Sequence, residues 1–176
     1  MTNDDIPTFV KNFVQGIRHT QGMTHSGIVL AAAAILDSQL EVALKRTMKP
    51  LTKALSKRLF ESPDGPLSNF ANKIVMARAL DVVTVEIYDE LQKIRRMRNA
   101  FAHSFKILSF ESEEIAPIFL SLKKPRVTKA QPSAVFMSCV SVIYDALKLD
   151  PAGMDPRSEK GQNRPSATAA DLAELE

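Results

Sequence analysis

The side chains best equipped for chemistry lie together in one short run, Ile94-Arg95-Arg96-Met97-Arg98-Asn99-Ala100-Phe101-Ala102-His103. Read as one helix with the residues before it, this stretch sets Ile87, Leu91, Ile94, Phe101 and Phe105 on a single apolar stripe. Arg98 falls on the same stripe, four positions after Ile94 and three before Phe101. A guanidinium cannot be deprotonated and is rarely buried without a partner, so Arg98 must meet an acid, a phosphate or a second subunit. Asn99 and His103 are four apart on the flank, with Arg95 one turn before Asn99. One face thus offers a fixed cation, an amide and an imidazole. On an ideal helix Arg98 and His103 point about 140° apart, five residues at about 100° each. They share one target only if Arg98 curls round, if the helix ends early, or if a second subunit supplies one of them.

A charge on a packing face needs a counter-charge. Asp37 and Glu41, four apart on one face of a long apolar helix, supply two acids. Two readings stand: one of them neutralises Arg98 or Arg95 across the bundle, or the pair marks where that helix emerges into solvent. If Arg98 is so paired, His103 is left to cap its helix C-terminus, where a cation is favoured. Lys45, Lys49, Lys53 and Lys57 recur every four residues, but Pro50 breaks their register and leaves a solvated face. The basic loop Lys123-Lys124-Pro125-Arg126-Val127-Thr128-Lys129 reads first as solvated, with an anion contact as the alternative. His19 and His25 flank a glycine turn with no acid or cysteine at metal-ligand spacing, which argues against zinc. Cys139 is the sole cysteine; it excludes an internal disulfide and reads as a buried thiol in an apolar helix. No metal and no cofactor is expected.

The elements that hold these residues are all helical. Ile6, Phe9, Val10, Phe13, Val14 and Ile17 predict a first helix over 4–19. A second runs from an N-cap at Thr24 or Ser26 to about residue 47. Its first half is apolar on every side and contains four consecutive alanines, Ala31 to Ala34, so it belongs at the centre of a bundle. A short helix is expected over 51–60, then a turn at Glu61-Ser62-Pro63-Asp64-Gly65-Pro66. Ser68 should cap a helix over 69–80, and Thr84 the helix that ends at His103. Ser112-Glu113-Glu114 opens a short helix to about residue 122, and a last one runs from Pro132 or Ser133 to residue 149. Its broad apolar face includes Phe136, Cys139, Val140, Val142 and Ile143. No strand, repeat or glycine-rich phosphate loop is present. Residues 1–149 make one helical domain, and the Pro-, Gly- and Ser-containing stretch 150–176 reads as a flexible tail.

The length, 176 residues, suits a single domain. Residues 1–149 hold 20 basic and 14 acidic residues, net +6, whereas 150–176 hold 3 basic and 6 acidic, net −3. Such a body tolerates an anionic partner without requiring one. The N-terminus lacks the basic start and apolar core of a signal peptide, and the longest apolar run, at about 10 residues, is half a membrane span. A cytoplasmic protein without membrane contact is expected.

Gly65-Pro66-Leu67-Ser68-Asn69-Phe70, with Ala79-Leu80, Tyr88-Asp89-Glu90-Leu91 and the Ile94 to His103 run ending Arg-Asn-x-Phe-Ala-His, resembles the mannitol operon repressor family. The likeness is strongest over 60–105. It implies an all-helical regulator without a helix-turn-helix, associated with repression of sugar-alcohol uptake genes. The spacing of Arg98, Asn99 and His103 is also similar to the Arg-x4-6-His motif of HEPN domains. Those are helical bundles that often dimerise, and many are metal-independent ribonucleases. That second resemblance implies His103 as general acid or base on a ribose 2′-hydroxyl, Arg98 as holder of the scissile phosphate and Asn99 as an orienting amide.

Together these features lead to an all-α, multi-helix, HEPN-like bundle, expected as a homodimer. The leading function is repressor-like transcription regulation through a protein partner or a weak DNA or RNA contact. The alternatives are a metal-independent ribonuclease built on Arg98, Asn99 and His103, and a non-catalytic interaction module.

Overall fold

A computed structural model of the chain describes residues 24–123 and 131–148. Six helices and no strand occur among them, so the fold is an all-α bundle. The helix expected over 4–19, the tail and most of the basic loop after Lys123 lie outside the described residues.

Helix α1, His25–Thr47, is the centre. Thr24 caps it, its hydroxyl accepting the Gly27 N–H at 3.3 Å. By length and hydropathy this helix would pass for a membrane span, but half of that apolar window is buried within the bundle, where it packs against three other helices. Val29, Ala32, Leu36, Leu40 and Leu44 are fully buried. The alanines at 32 and 33 let neighbouring backbones come close, which is how one helix serves three partners.

Helix α2, Lys53–Phe60, is capped by Thr52 and buries only Phe60. The turn that follows is closed by hydrogen bonds from Gly65 N–H to the Ser62 carbonyl and from Leu67 N–H to the Leu59 carbonyl. Helix α3, Phe70–Ala79, starts one residue later than expected, with Asn69 as cap: its Oδ1 accepts the Asn72 N–H at 2.8 Å. Ser68 instead donates its hydroxyl to the Gly65 carbonyl, bracing the turn.

Helix α4, Val85–His103, begins at the Thr84 cap as expected. Its buried stripe is Glu90, Leu91, Ile94, Met97 and Phe101. This corrects two expectations. Met97, three residues after Ile94, takes the packing position, while Arg98 lies at the stripe's edge and is exposed. Phe105 is not on the stripe, because the helix stops at His103 and the chain turns through a Ser104–Lys106 hydrogen bond. Phe105 and Ile107 stand fully in solvent.

Helix α5, Ala116–Ser121, begins later than its acidic lead-in suggested; Ser112 forms a turn, its carbonyl accepting from Ile115 and Ala116. Helix α6, Pro132–Lys148, buries Phe136, Cys139, Val140, Ile143 and Leu147, whereas Val142 is half exposed. Helices α1, α3, α4 and α6 form the main layer contacts. Phe110, from the loop after α4, plugs one end of the core against Phe119, Phe136 and His25 at ring separations of 4.6 to 5.3 Å.

Candidate functional site: a basic groove between three helices

The first turn of α3 and the last two turns of α4 meet α1 along a groove of about 750 Å³. Helix α4 contributes Arg95, Arg98 and Asn99; α3 contributes its capping segment, Ser68 to Asn72; α1 contributes Leu30, Ala33, Ala34 and Asp37. The groove exists because the alanine run on α1 leaves a shallow floor where a larger side chain would fill the space.

Arg98 donates from Nη1 to the Asn99 Oδ1 at 3.1 Å. Arg95 is half-buried and donates from Nε to the Gln92 Oε1 at 2.9 Å. Neither arginine has an ion pair among the described residues. One of the two readings open from the sequence paired them with Asp37 or Glu41; in the structure both acids pair with Lys73 instead. Lys73, on α3, reaches between them, with Nζ 3.2 Å from Asp37 Oδ2 and 3.0 Å from Glu41 Oε2. Lys45 adds a second contact to Glu41 at 2.7 Å. The reason is placement: α3 lies against the polar half of α1, and Lys73, one turn inside α3 and 3% exposed, points straight at it. Burial pushes the Glu41 carboxyl up, but hydrogen bonds from Lys45 and Lys73 and the charges of both outweigh it. Glu41 is held below the ordinary carboxylate range. The other Asp37 oxygen, Oδ1, is buried with no hydrogen bond among the described residues.

Of the residues singled out from the sequence, Asp37, Arg95, Arg98 and Asn99 therefore share the groove, while Glu41 and His103 do not line it. His103 is the exposed last residue of α4. The angular separation of Arg98 and His103 accounts for this, since the helix stays regular through His103.

Two charged residues central to the bundle escaped the sequence reading. Glu90, 4% exposed, accepts from Lys93 Nζ at 2.6 Å and from the Lys123 N–H at 3.0 Å, tying α4 to the end of α5. Lys93 also donates to the Ser121 carbonyl. The signal was available: Glu90 sits beside Leu91 and one turn before Ile94, on the stripe itself. Lys73 gave a similar sign, standing beside Ile74 and four residues before Ala77. Charges at such positions are structural fasteners when both ends are satisfied.

His25 is occupied as well. Its Nδ1 accepts the Phe110 N–H at 3.2 Å and its ring lies against Phe110. Among the described residues no three His, Cys, Asp or Glu side chains gather closely enough to hold a metal ion. What the groove offers is recognition: two guanidinium groups, an amide and the start of a helix line one space.

No family model and no curated protein matches the sequence. Among solved structures, the chain is similar to a chain in the X-ray structure of the MtlR–HPr complex from Escherichia coli. The TM-score is 0.60 at 14% identity, over 73% of this chain and 92% of that one. At that identity the likeness establishes a shared fold.

Proposed function

We propose that this chain is a repressor-like transcription regulator that lacks a helix-turn-helix, resides in the cytoplasm and acts by engaging a protein partner. The observation that supports it most is the fold shared with a protein captured in complex with HPr. It coincides with the sequence resemblance to mannitol operon repressors, strongest over the segment that builds α3, α4 and the groove. A partner-binding role also suits a site rich in charge and hydrogen-bond donors. A homodimer follows from the family resemblance alone, because Arg98, whose place on the stripe argued for a second subunit, opens onto the groove.

Metal-independent ribonuclease action is the second reading, favoured by the solvent-open Arg98–Asn99 pair. It requires His103 to reach the same phosphate from outside the groove.

Titration calorimetry against HPr, run beside an RNA-cleavage assay in EDTA, separates the two. The regulator reading expects saturable association with HPr and intact RNA. Cleavage to 2′,3′-cyclic phosphate ends by the wild type, lost in Arg98→Ala and His103→Ala, would replace it with the ribonuclease.

A further inference from the structure

Arg95 uses only Nε in a hydrogen bond, and Arg98 only Nη1, so three terminal guanidinium nitrogens have no acceptor among the described residues. The lone acid lining the groove, Asp37, is paired with Lys73 through Oδ2, while its Oδ1 is buried without a hydrogen bond among the described residues. Helix α3, ten residues long, presents its first turn to the same space. Asn69 caps the Asn72 N–H, which leaves the N–H groups of Phe70 and Ala71 without acceptors among the described residues. Guanidinium forks and a helix N-terminus are both donors of the kind that bind phosphate, and here they stand on different helices around one cavity.

The remaining wall is apolar. Leu30, Ala33 and Ala34 of α1 form a floor that would accept a carbon skeleton. The volume, about 750 Å³, lies within the range typical of small-molecule sites. Two fixed positive charges beside a helix start match a dianion better than a single carboxylate.

We propose that this groove binds a small phosphomonoester, with its phosphate between Arg95, Arg98 and the start of α3 and its carbon part on the alanine floor. The inference goes beyond the regulator reading by giving it an effector site. It commits to a metabolite rather than a nucleic acid as the ligand.

The test is titration calorimetry with the full chain against inorganic phosphate, glycerol 3-phosphate and glucose 6-phosphate. Glycerol, glucose and gluconate are the uncharged and carboxylate controls. At least one phosphomonoester should bind one per chain and more tightly than inorganic phosphate, with affinity falling as salt is raised. Arg95→Gln and Arg98→Gln should each weaken it at least tenfold, while Arg58→Gln, a surface charge on α2, should leave it unchanged. Thermal melts establish that each variant is folded, as expected for residues that face a groove. No binding of any of the three phosphates by folded wild type overturns the proposal, as does binding that both arginine variants retain. Binding of gluconate in preference to the phosphates, or of an RNA oligonucleotide alone, overturns it too. HPr association is measured separately without ligand, so loss of one result leaves the other standing.

Discussion

Lys73 puts one ammonium between two carboxylates from a side chain that is almost completely enclosed. Removing it leaves Asp37 without its ion pair and Glu41 with Lys45 alone; both acids keep about a quarter to a third of their surface in water and so lose less than a fully buried pair would. Lys73→Met should therefore cost about 2 kcal/mol in urea denaturation, below the roughly 3–5 kcal/mol of a fully desolvated pair. Glu41 contributes to the pH dependence. Its folded pKa lies below its ordinary value, so the unfolded chain takes up the proton first as the pH falls. The stabilisation is fully present above about pH 4.5 and is lost as pH drops through the lowered folded value. Glu41→Gln should flatten that acid limb of the stability curve; an unchanged limb would show that Glu41 is not its source. A second contrast tests where α4 ends. Phe101 is buried and Phe105, four residues on, touches solvent alone. Phe101→Ala should cost about 3–5 kcal/mol, whereas Phe105→Ser should stay within about 0.5 kcal/mol. Comparable losses from both would mean that α4 continues past His103.

At the scale of elements, the turn between α2 and α3 decides where the groove's donors point. Gly65 is required there by close approach rather than by an unusual backbone angle. A Cβ at this position would lie 2.7 Å from the carbonyl oxygens of both Arg58 and Leu59 and 2.9 Å from that of Ser62. Those atoms are backbone and cannot swing away as a side chain end would. Gly65→Ala should cost about 2–3 kcal/mol in the same denaturation assay, within the range of backbone-strain substitutions. A neutral result would show that the turn relaxes easily. The caps also belong to this scale. Thr24, Thr52, Asn69 and Thr84 each satisfy an N–H of their helix with a side-chain oxygen. That accounts for the sharp starts of these helices.

For the whole molecule, α1 carries more buried residues than any other described helix and α2 only Phe60. Native-state hydrogen exchange should find the slowest amides near Leu36 and Leu40 in α1 and fast exchange in α2, which anchors only Phe60. Equal protection in α2 and α1 would contradict a bundle centred on α1. Glu90 adds a second organising contact, because one carboxylate holds both Lys93 and the chain leaving α5.

Much of this architecture was legible in the chain itself. An all-round apolar helix with four alanines has to be central, and Thr84 before an amphipathic run announces α4 to the residue. Helix existence depends on local period and capping, and both are written in consecutive residues. What neighbours what is not. Asp37 and Glu41 needed a cation, but the choice between Arg98, Arg95 and Lys73 turns on which helix lies against the polar half of α1. Arg98 and Met97 are adjacent in sequence and lie on either side of one stripe's edge, so period alone could not say which would be buried. Nor could it reveal that Asn69 and the alanines of α1, far apart along the chain, wall one cavity with Arg95 and Arg98. Those facts depend on the crossing of helices in space, and only the tertiary structure decided them.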